Sequence, residues 1–431
     1  MNGIIPSFFY HPAARDALVI FSNTVQMYLF TVWTSYFVMS FWGLKKRVPL
    51  PAPGGRLNRF AVVLPAYNEE EVIGHAVESL FKLDYPRELF DVWVVADHCT
   101  DRTAEIAKSR GANVFLNDGD SPRGKARALL ALDRSLLETG KYDAFCYFDA
   151  DSLAHPGFLR AMSDHLNAGH QAMQGMERSK NPDFNFLSRI CHVGKVMQIY
   201  YGQLPKYRLG LSATLHGKGM CFSADIVRRF PWDPRALTED IELQARLIRH
   251  GVPIYYAPQA VVFDESPVTM RQMVLRSLRW TKGALYAANK HIWGTFRRFL
   301  MHGDLRALES FSRFSMCYRL LLVGSAAALI YIYRDAFNLL YWIFDHPSGA
   351  RFSVKLMNWI PVYLWPAYAL YRERSGWRDY ATYIVMPWFY LFLGIPIFAA
   401  SVFSYKRSSH WYRTEHGCAV SISELVEGKR C

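Results

Sequence analysis

Strand-like and helix-like segments alternate regularly between residues 60 and 151, and this alternation restricts the fold more than any other feature. Buried-strand patterns occur at 60–68, 91–98, 113–117 and 142–151, and helical patterns lie between them at 69–83, 100–111 and 123–139. Strands that are separated by helices form a mostly parallel sheet. We therefore predict an α/β fold with a doubly wound, mostly parallel sheet.

Polar residues follow three of these strands at the point where each strand ends. They are Asn68, Asp97 and Asp149. Right-handed crossovers place the carboxyl ends of the parallel strands on one sheet edge, where ligands bind in such folds. The first strand is not followed by a GxGxxG segment, and the chain has no P-loop motif, so neither of those nucleotide sites is predicted.

An uncharged stretch at residues 17–44 is long enough to cross a bilayer. Lys45, Lys46 and Arg47 follow it and predict that the next domain lies in the cytoplasm. The net charge of +13 fits such flanks together with an anionic substrate, and no basic stripe with interleaved aromatics points to nucleic acid. The seven cysteines form no CxxC pair, which is typical of reduced thiols.

Three more apolar stretches follow residue 312. We predict an outward span at 316–344, a return at 354–371 and a broken, interfacial or re-entrant element at 380–405, which contains two prolines and a glycine. A full crossing at 380–405 would place the basic residues after it outside, against the charge rule. The predicted domains are a transmembrane anchor (1–48), a cytosolic domain with interfacial helices (49–312), a transmembrane or re-entrant region (313–405) and a cytosolic tail (406–431).

Asp149 and Asp151 flank one alanine at the end of the fourth predicted strand. Surface turns often carry such a pair, but its position after a buried strand favours a ligand role. Two carboxylates at this spacing can share a hard cation that bridges to phosphate oxygens. We predict Mg²⁺ or Mn²⁺ here.

Four residues near the first two strand ends could contact a nucleotide. Asp97 could accept hydrogen bonds from a base or ribose, since Thr100 or Asp101 is available to cap the next helix. Tyr67 and Glu69 could flank the same base. Lys125 opens a helix and is either a solvated charge or a phosphate contact at the helix N-terminus.

Glu239 and Asp240 lie in the first turn of a predicted helix that Thr238 would cap. Acidic residues are common there because of the helix dipole alone, and the same dipole would keep Asp240 ionised, as a general base must be. The glycine-rich segment 216–222, which contains Lys218 and Gly219, would allow the backbone to approach a ligand closely.

Arg276, Arg279, Trp280 and Gly283 fall on one face of a helix that we predict to start at Ser266-Pro267. This face is typical of a helix on a membrane surface. Arginines beside a tryptophan can also hold a diphosphate and stack against a sugar.

The ordered segments PAYNEE, ADHCTD, FDADS, LTED and RSLRW resemble the membrane-integrated family 2 glycosyltransferases, which include cellulose, hyaluronan and poly-N-acetylglucosamine synthases. The resemblance covers about residues 15–417 and implies a GT-A-type fold. It implies that Asp151 binds the metal, that Asp240 is the base with Glu239 beside it, and that Arg279 and Trp280 frame the diphosphate and acceptor. It implies nucleotide contacts from Ala66, Tyr67, Glu69, Asp97, Lys125, Asp149 and Arg276, and acceptor contacts from Lys218, Gly219 and Trp280.

Trp411, Thr414 and His416 resemble the gating loop of that family, which closes over the bound nucleotide. Two positions differ from the family pattern: Arg276 replaces a Gln, and His416 replaces a Lys. Only about three spans are visible in the sequence. These differences argue against processive synthesis, and they leave glycosyl transfer unaffected.

The resemblance implies an inverting transferase in the inner membrane, multi-pass and with its catalytic domain in the cytoplasm. It would move a sugar from a nucleotide sugar, by family analogy a UDP-sugar, to a growing polysaccharide or glycan. The alternative is the addition of one sugar to a lipid-linked acceptor. Expected partners are the donor, a glycan or lipid-linked acceptor, the bilayer and possible further copies of the chain, and nucleic acid is not expected.

Overall fold

The computed structural model describes residues 11–45, 50–119, 123–340, 342, 363–404 and 420–426. Within them, the strands are β1 (Phe60–Ala66), β2 (Phe90–Asp97), β3 (Asn113–Asn117), β4 (Ala144–Tyr147), β5 (Leu153–Ala154), β6 (Ala172–Ser179), β7 (Met220–Ser223) and β8 (Tyr255–Asp264). The α-helices are α1 (Pro12–Ser40), α2 (Ile73–Phe81), α3 (Thr103–Ser109), α4 (Lys125–Glu138), α5 (Phe158–Asn167), α6 (Phe186–Met197), α7 (Leu204–Arg208), α8 (Ala224–Arg229), α9 (Glu239–Arg249), α10 (Met270–His302), α11 (Leu305–Ser315), α12 (Arg319–Ile332), α13 (Trp365–Arg372), α14 (Trp377–Phe403) and α15 (Ile422–Val426).

The eight strands of the described residues form one sheet in the order β3-β2-β1-β4-β7-β6-β8-β5. β1 pairs in parallel with β2 and β4, and β2 pairs in parallel with β3. β7 runs antiparallel to β4 and β6, while β6 and β8 are parallel. The predicted α/β fold with a doubly wound, mostly parallel sheet is therefore confirmed.

Helices cover both faces of this sheet, which explains why its central strands are apolar throughout. In β1 every residue is buried except Pro65. On one face Leu129 of α4 belongs to a buried apolar cluster with Val63, and on the other Val77 of α2 packs in a cluster with Val62. A strand that is buried on both sides loses the alternation of apolar and polar residues.

Several helices begin later than predicted, and the difference is largest for α2 and α10. α2 begins at Ile73, since residues 67–72 form a turn in which Asn68 has a positive φ of 53°. α10 begins at Met270, and the prediction of a start at Ser266-Pro267 was wrong. Thr269 caps α10, because its side chain accepts from the backbone of Gln272 in a capping box.

Among the described residues, two helical segments are long and apolar enough to cross a membrane: Pro12–Leu44, which joins α1 to a short 3₁₀ turn, and α14. The first agrees with the predicted span at 17–44. α11 and α12 make a third candidate if they count as one span bent by 67°. Within the stretch predicted at 316–344, the described residues are helical at 316–318, over α12, and at 339, 340 and 342. Residues 341, 343 and 344, and residues 354–362 of the predicted return, lie outside the described residues.

α14 is one continuous helix that includes Pro387 and Pro396, so the predicted break at 380–405 was wrong over the described part, 380–404. An internal proline removes one backbone hydrogen bond, and transmembrane helices tolerate this loss. α14 packs against α6 and α10 of the sheet domain.

The C-terminal helix α15 returns to the sheet domain. Ile422 and Leu425 bury themselves against Leu153 of β5, with Phe263 of β8 packed on the same cluster. The side chain of Lys82 donates to Ser423 at 3.2 Å beside this contact.

Candidate active site

One cleft at the carboxyl edge of β1, β2 and β4 gathers most of the residues singled out in the sequence. Its lining includes Ala66, Tyr67, Glu69, Asp97, Lys125, Asp149, Asp151, Lys218, Glu239, Asp240, Arg276, Arg279 and Trp280. Of the predicted residues within the described chain, Gly219 alone is absent from this lining. Trp411, Thr414 and His416 lie outside the described residues.

Lys125, at the start of α4, joins the end of β4 to the start of α9. Its Nζ lies 2.6 Å from Asp149 Oδ1 and 2.8 Å from Glu239 Oε1. Burial alone would lower the pKa of Lys125, but these two carboxylates raise it above its usual value. The lysine predicted to contact phosphate is therefore cationic and is held by carboxylates in this structure.

Three carboxylates converge behind this lysine. Ligand oxygens of Asp149, Asp151 and Asp264 all lie within 4.8 Å of one another. Asp149 and Asp151 follow β4, and Asp264 ends β8, which lies three places further along the sheet. Three such oxygens fit a hard divalent cation.

Asp264 also anchors a buried group of cations. Its carboxylate lies 2.5 Å from Lys218, 2.8 Å from Lys195 and 3.7 Å from Arg276. Burial would raise the pKa of Asp264, but these cations hold it well below its usual value. Glu177 joins the group through Lys195 at 2.9 Å.

These contacts change the interpretation of Lys218 and Gly219, both predicted to contact the acceptor. Lys218 is 5% exposed and is committed to Asp264. Gly219 has a φ of 62°, and a Cβ there would lie 2.8 Å from Val262 Cγ1, so the glycine lets the chain just before β7 pass close to Val262 of β8.

Asp240 also lies close to Lys125. A Cβ placed on Gly217 would lie 3.5 Å from Asp240 Oδ2 and 3.6 Å from Lys125 Nζ, so Gly217 leaves the space between them open. We expected the helix dipole to keep Asp240 ionised. Instead, burial and the charge of Glu239 raise the pKa of Asp240 to about 7, and the nearby Lys125 offsets only part of this effect.

Thr238 stands at the N-cap position of α9, but its side chain makes no capping hydrogen bond. Its Oγ1 is buried without a hydrogen-bond partner. The predicted cap was therefore wrong, because the side chain faces Gly283 of α10 instead.

The first turns of α10 form one wall of the cleft. The guanidinium carbon of Arg276 lies 4.3 Å from the ring centre of Trp280, and Trp280 is 45% exposed at the opening. Arg279 lines the same wall. The cationic and aromatic face predicted for this helix is thus turned partly into the cleft.

The nucleotide-side residues are already engaged with one another. Asp97 accepts hydrogen bonds from the Gly124 backbone at 2.9 Å and from Asn117 Nδ2 at 2.8 Å. The guanidinium of Arg123 lies 4.0 Å from the ring centre of Tyr67. Asp101, rather than Asp97, accepts from the backbone N–H of Thr103 at the start of α3.

Sequence reasoning missed three charged cleft residues, Arg123, Asp264 and Glu265. Asp264 and Glu265 follow an apolar strand in the segment FDES, the same type of signal that identified Asp149. Arg123 directly precedes Gly124 and Lys125, and only its contact with the ring of Tyr67 distinguishes it from a solvated surface arginine.

The sequence and the fold both match known glycosyltransferases. The chain is 26% identical over 286 residues to a beta-monoglucosyldiacylglycerol synthase of Synechocystis sp., covering 65% of this chain and 58% of that protein. It is 23% identical over 297 residues to a poly-beta-1,6-N-acetyl-D-glucosamine synthase of Staphylococcus epidermidis, covering 65% and 69%. The chain spans less than two thirds of the length of several curated relatives.

A solved mannosyltransferase from Pyrobaculum calidifontis, in complex with GDP-Man and Mn²⁺, has a similar structure. The TM-score is 0.56 at 16% identity, and the match covers 91% of this chain and all of that one. This likeness confirms the GT-A-type fold.

The model of the family described as "Glycosyltransferase like family 2" matches residues 58–283, which is more than half of the chain. The matched region contains the five segments on which the resemblance was based. The chain therefore belongs to the family 2 glycosyltransferases and is a transferase enzyme.

Proposed function

We propose that this enzyme is an inverting membrane glycosyltransferase that moves a sugar from a nucleotide sugar to a glycan acceptor. The observation that carries the proposal is one cleft with two acidic poles, Asp240 beside Glu239 and the group Asp149, Asp151 and Asp264, which Lys125 joins through its contacts with Glu239 and Asp149. A base at one pole and a diphosphate site at the other are the two requirements of single displacement at an anomeric carbon.

The carboxylate pole fits a divalent cation. Asp149, Asp151 and Asp264 offer only oxygen ligands, which Mg²⁺ and Mn²⁺ prefer. A bound cation would supply charge stabilisation to the departing diphosphate. The mannosyltransferase that shares the fold was solved with Mn²⁺ and GDP-Man.

The chain's own cations support the same role. Arg279 and Arg276 lie on the α10 wall, and Lys125 lies between the poles, so negative charge entering the cleft meets three cationic side chains. Such preorganised charge stabilises a leaving group without costly rearrangement during the reaction. Lys125 would have to exchange one of its carboxylate contacts for a phosphate oxygen.

Asp240 is the proposed general base. Its carboxylate would take the proton of the acceptor hydroxyl as that oxygen attacks the anomeric carbon. A pKa near 7 suits this role, because a base works best when its pKa is close to the working pH. Trp280, exposed at the opening, would stack on the acceptor sugar.

We further propose a UDP-sugar donor and a polysaccharide or glycan acceptor at the cytoplasmic membrane face. The Staphylococcus epidermidis relative is named as a polymer synthase. A second candidate is transfer of one sugar to a lipid acceptor, and two observations favour it: the apolar helix α14 packs directly on α10 and α6, and the Synechocystis relative is named as a glycolipid synthase.

The test starts with purified protein in lipid nanodiscs. Nucleotide release from UDP-glucose, UDP-N-acetylglucosamine and GDP-mannose, each with Mg²⁺ or Mn²⁺, identifies the donor. Product length then separates the two acceptors, since a polymer synthase gives a ladder and a lipid transferase gives one defined adduct.

Asp240→Asn should remove most turnover, by roughly 100-fold or more, while UDP binding in the presence of Mn²⁺ stays near that of the unaltered protein. Asp151→Ala serves as the contrasting variant, because it should weaken metal-dependent nucleotide binding. Full turnover in Asp240→Asn would refute the assignment of the base.

A further inference from the structure

We propose that Gly283 is a positioning residue: with Thr238 it sets the separation between the general base on α9 and the Arg279–Trp280 wall on α10. This inference rests on the proposed role of Asp240. It concerns residues that would act through Asp240, Arg279 and Trp280.

The start of α9 and the middle of α10 approach each other closely at Gly283. A Cβ at this position would lie 2.1 Å from Thr238 Oγ1, 2.5 Å from its Cγ2 and 2.7 Å from its Cβ. Gly283 is buried in the middle of α10 and does not have a positive φ. Glycine costs a helix interior about 1 kcal/mol relative to alanine, so close approach rather than backbone conformation explains the residue.

The position of this contact relates it to the chemistry. Thr238 directly precedes Glu239 and Asp240 in the chain. On α10, Gly283 lies three and four residues after Trp280 and Arg279, which puts it on the same side of the helix one turn away. A change in spacing at Gly283 therefore shifts the base relative to the diphosphate wall.

A group of polar contacts around the buried Glu242 also joins the two helices further along α10. Glu242 of α9 is fully buried, and its Oε1 lies 3.0 Å from both Lys290 Nζ and His291 Nε2. Asp233, which precedes α9, accepts from Tyr286 at 2.8 Å and from Lys290 at 2.6 Å. Because these contacts hold residues 286–291 of α10 against α9, a methyl group at residue 283 must displace Thr238 or tilt the first turns of α10.

The decisive variant is Gly283→Ala, measured with the donor that the unaltered protein hydrolyses fastest among UDP-glucose, UDP-N-acetylglucosamine and GDP-mannose. We expect kcat to fall about 10- to 100-fold, because misplacement by about 1 Å can cost a factor of this size. The KM for the donor should change by less than about threefold, because Asp97, Asp149 and Asp151, which would hold the nucleotide and the cation, lie at strand ends and not on α9 or α10.

Gly294→Ala is the matched control, because Gly294 lies on the same helix and faces the same partner helix. A Cβ at Gly294 would meet Arg249 Nε at 2.6 Å and Cδ at 2.7 Å, which belong to the end of a flexible side chain that can move away. We expect its kcat to stay within about twofold of the unaltered enzyme.

The double variant Thr238→Gly/Gly283→Ala adds a methyl group at residue 283 and removes the Thr238 side chain that this methyl group would meet. It should recover a large part of the lost kcat relative to Gly283→Ala, because the steric conflict is removed. A lower unfolding temperature with parallel loss of kcat and donor binding, without recovery in the double variant, would mean general destabilisation and would overturn the proposal.

Normal kcat in Gly283→Ala would also overturn it. Asp240→Asn is measured in parallel, so that the role of Asp240 as the base and the role of Gly283 in spacing are tested separately. If Asp240→Asn is inactive and Gly283→Ala is normal, only the spacer role fails. If Asp240→Asn remains active, the proposed base fails, whatever Gly283→Ala shows.

Discussion

At the scale of single residues, the environment of Asp240 predicts how turnover depends on pH. Its raised pKa of about 7 means that the carboxyl group is largely protonated below neutral pH and cannot accept a proton. We expect kcat/KM to rise with pH between about 6 and 8 and then to level off. Rates measured across pH 5.5–9 at saturating Mn²⁺ check this.

The comparison variant for the pH profile is Glu239→Gln. The charge of Glu239 raises the pKa of Asp240, so its removal should move the rise in rate to lower pH. A profile that is flat between pH 5.5 and 8, in a protein that turns over normally, would be incompatible with Asp240 as the titrating base.

Residues near strand ends were predictable because local sequence identifies the end of a buried strand. Asp97 and Asp149 were identified in this way and line the cleft, whereas Asp240 was identified from its place in the first turn of a helix. Asp264 was missed, because its proximity to Asp149 depends on β8 entering the sheet beyond β7 and β6, out of chain order. The pairing of Lys218 with Asp264 depends on the same topology and could not be predicted from the sequence either.

At the scale of elements, the start of α10 depends on its capping box. Thr269 accepts from the backbone of Gln272, and the Gln272 side chain accepts in return from the Thr269 backbone. Thr269→Ala should destabilise the protein by about 1 kcal/mol, whereas Thr269→Ser keeps the hydroxyl and should cost less. Thermal unfolding in detergent checks both, and equal effects would contradict a capping role.

Elements were predicted well where one pattern dominates. The third strand was predicted at 113–117 and is β3 with those bounds, because short-range hydrophobic patterning determines it. α14 was predicted to be broken because Pro387 and Pro396 interrupt an apolar run. Each proline removes a backbone hydrogen bond and so destabilises the helix, whereas an apolar environment stabilises it. The sequence alone does not show which of the two effects is larger, and in the structure α14 is continuous.

At the scale of the whole molecule, the sheet domain and the apolar helices are directly joined. α14 packs on α10, and Arg178 of β6 lies 2.5 Å from Glu373, in the turn between α13 and α14. The cleft is therefore linked by direct contacts of α10 and β6 to the candidate membrane region.

Because α15 packs on Leu153 of the sheet domain, we predict that residues 420–426 and the sheet domain lie on the same side of a bilayer. We expect epitope tags inserted at Gly54 and after Cys431 to be digested by protease from the same face of sealed vesicles. Vesicles of the opposite orientation are the control, and digestion of the two tags from opposite faces would contradict the docking.

A polypeptide that departs from one compartment and comes back to it must traverse the barrier an even number of times. If α14 makes one traverse, a partner traverse must lie between the sheet domain and α14, and the bent pair α11–α12 is the described segment that meets the requirement of length and apolarity. The small contact at Leu153 thus predicts an even number of membrane crossings between the sheet domain and α15.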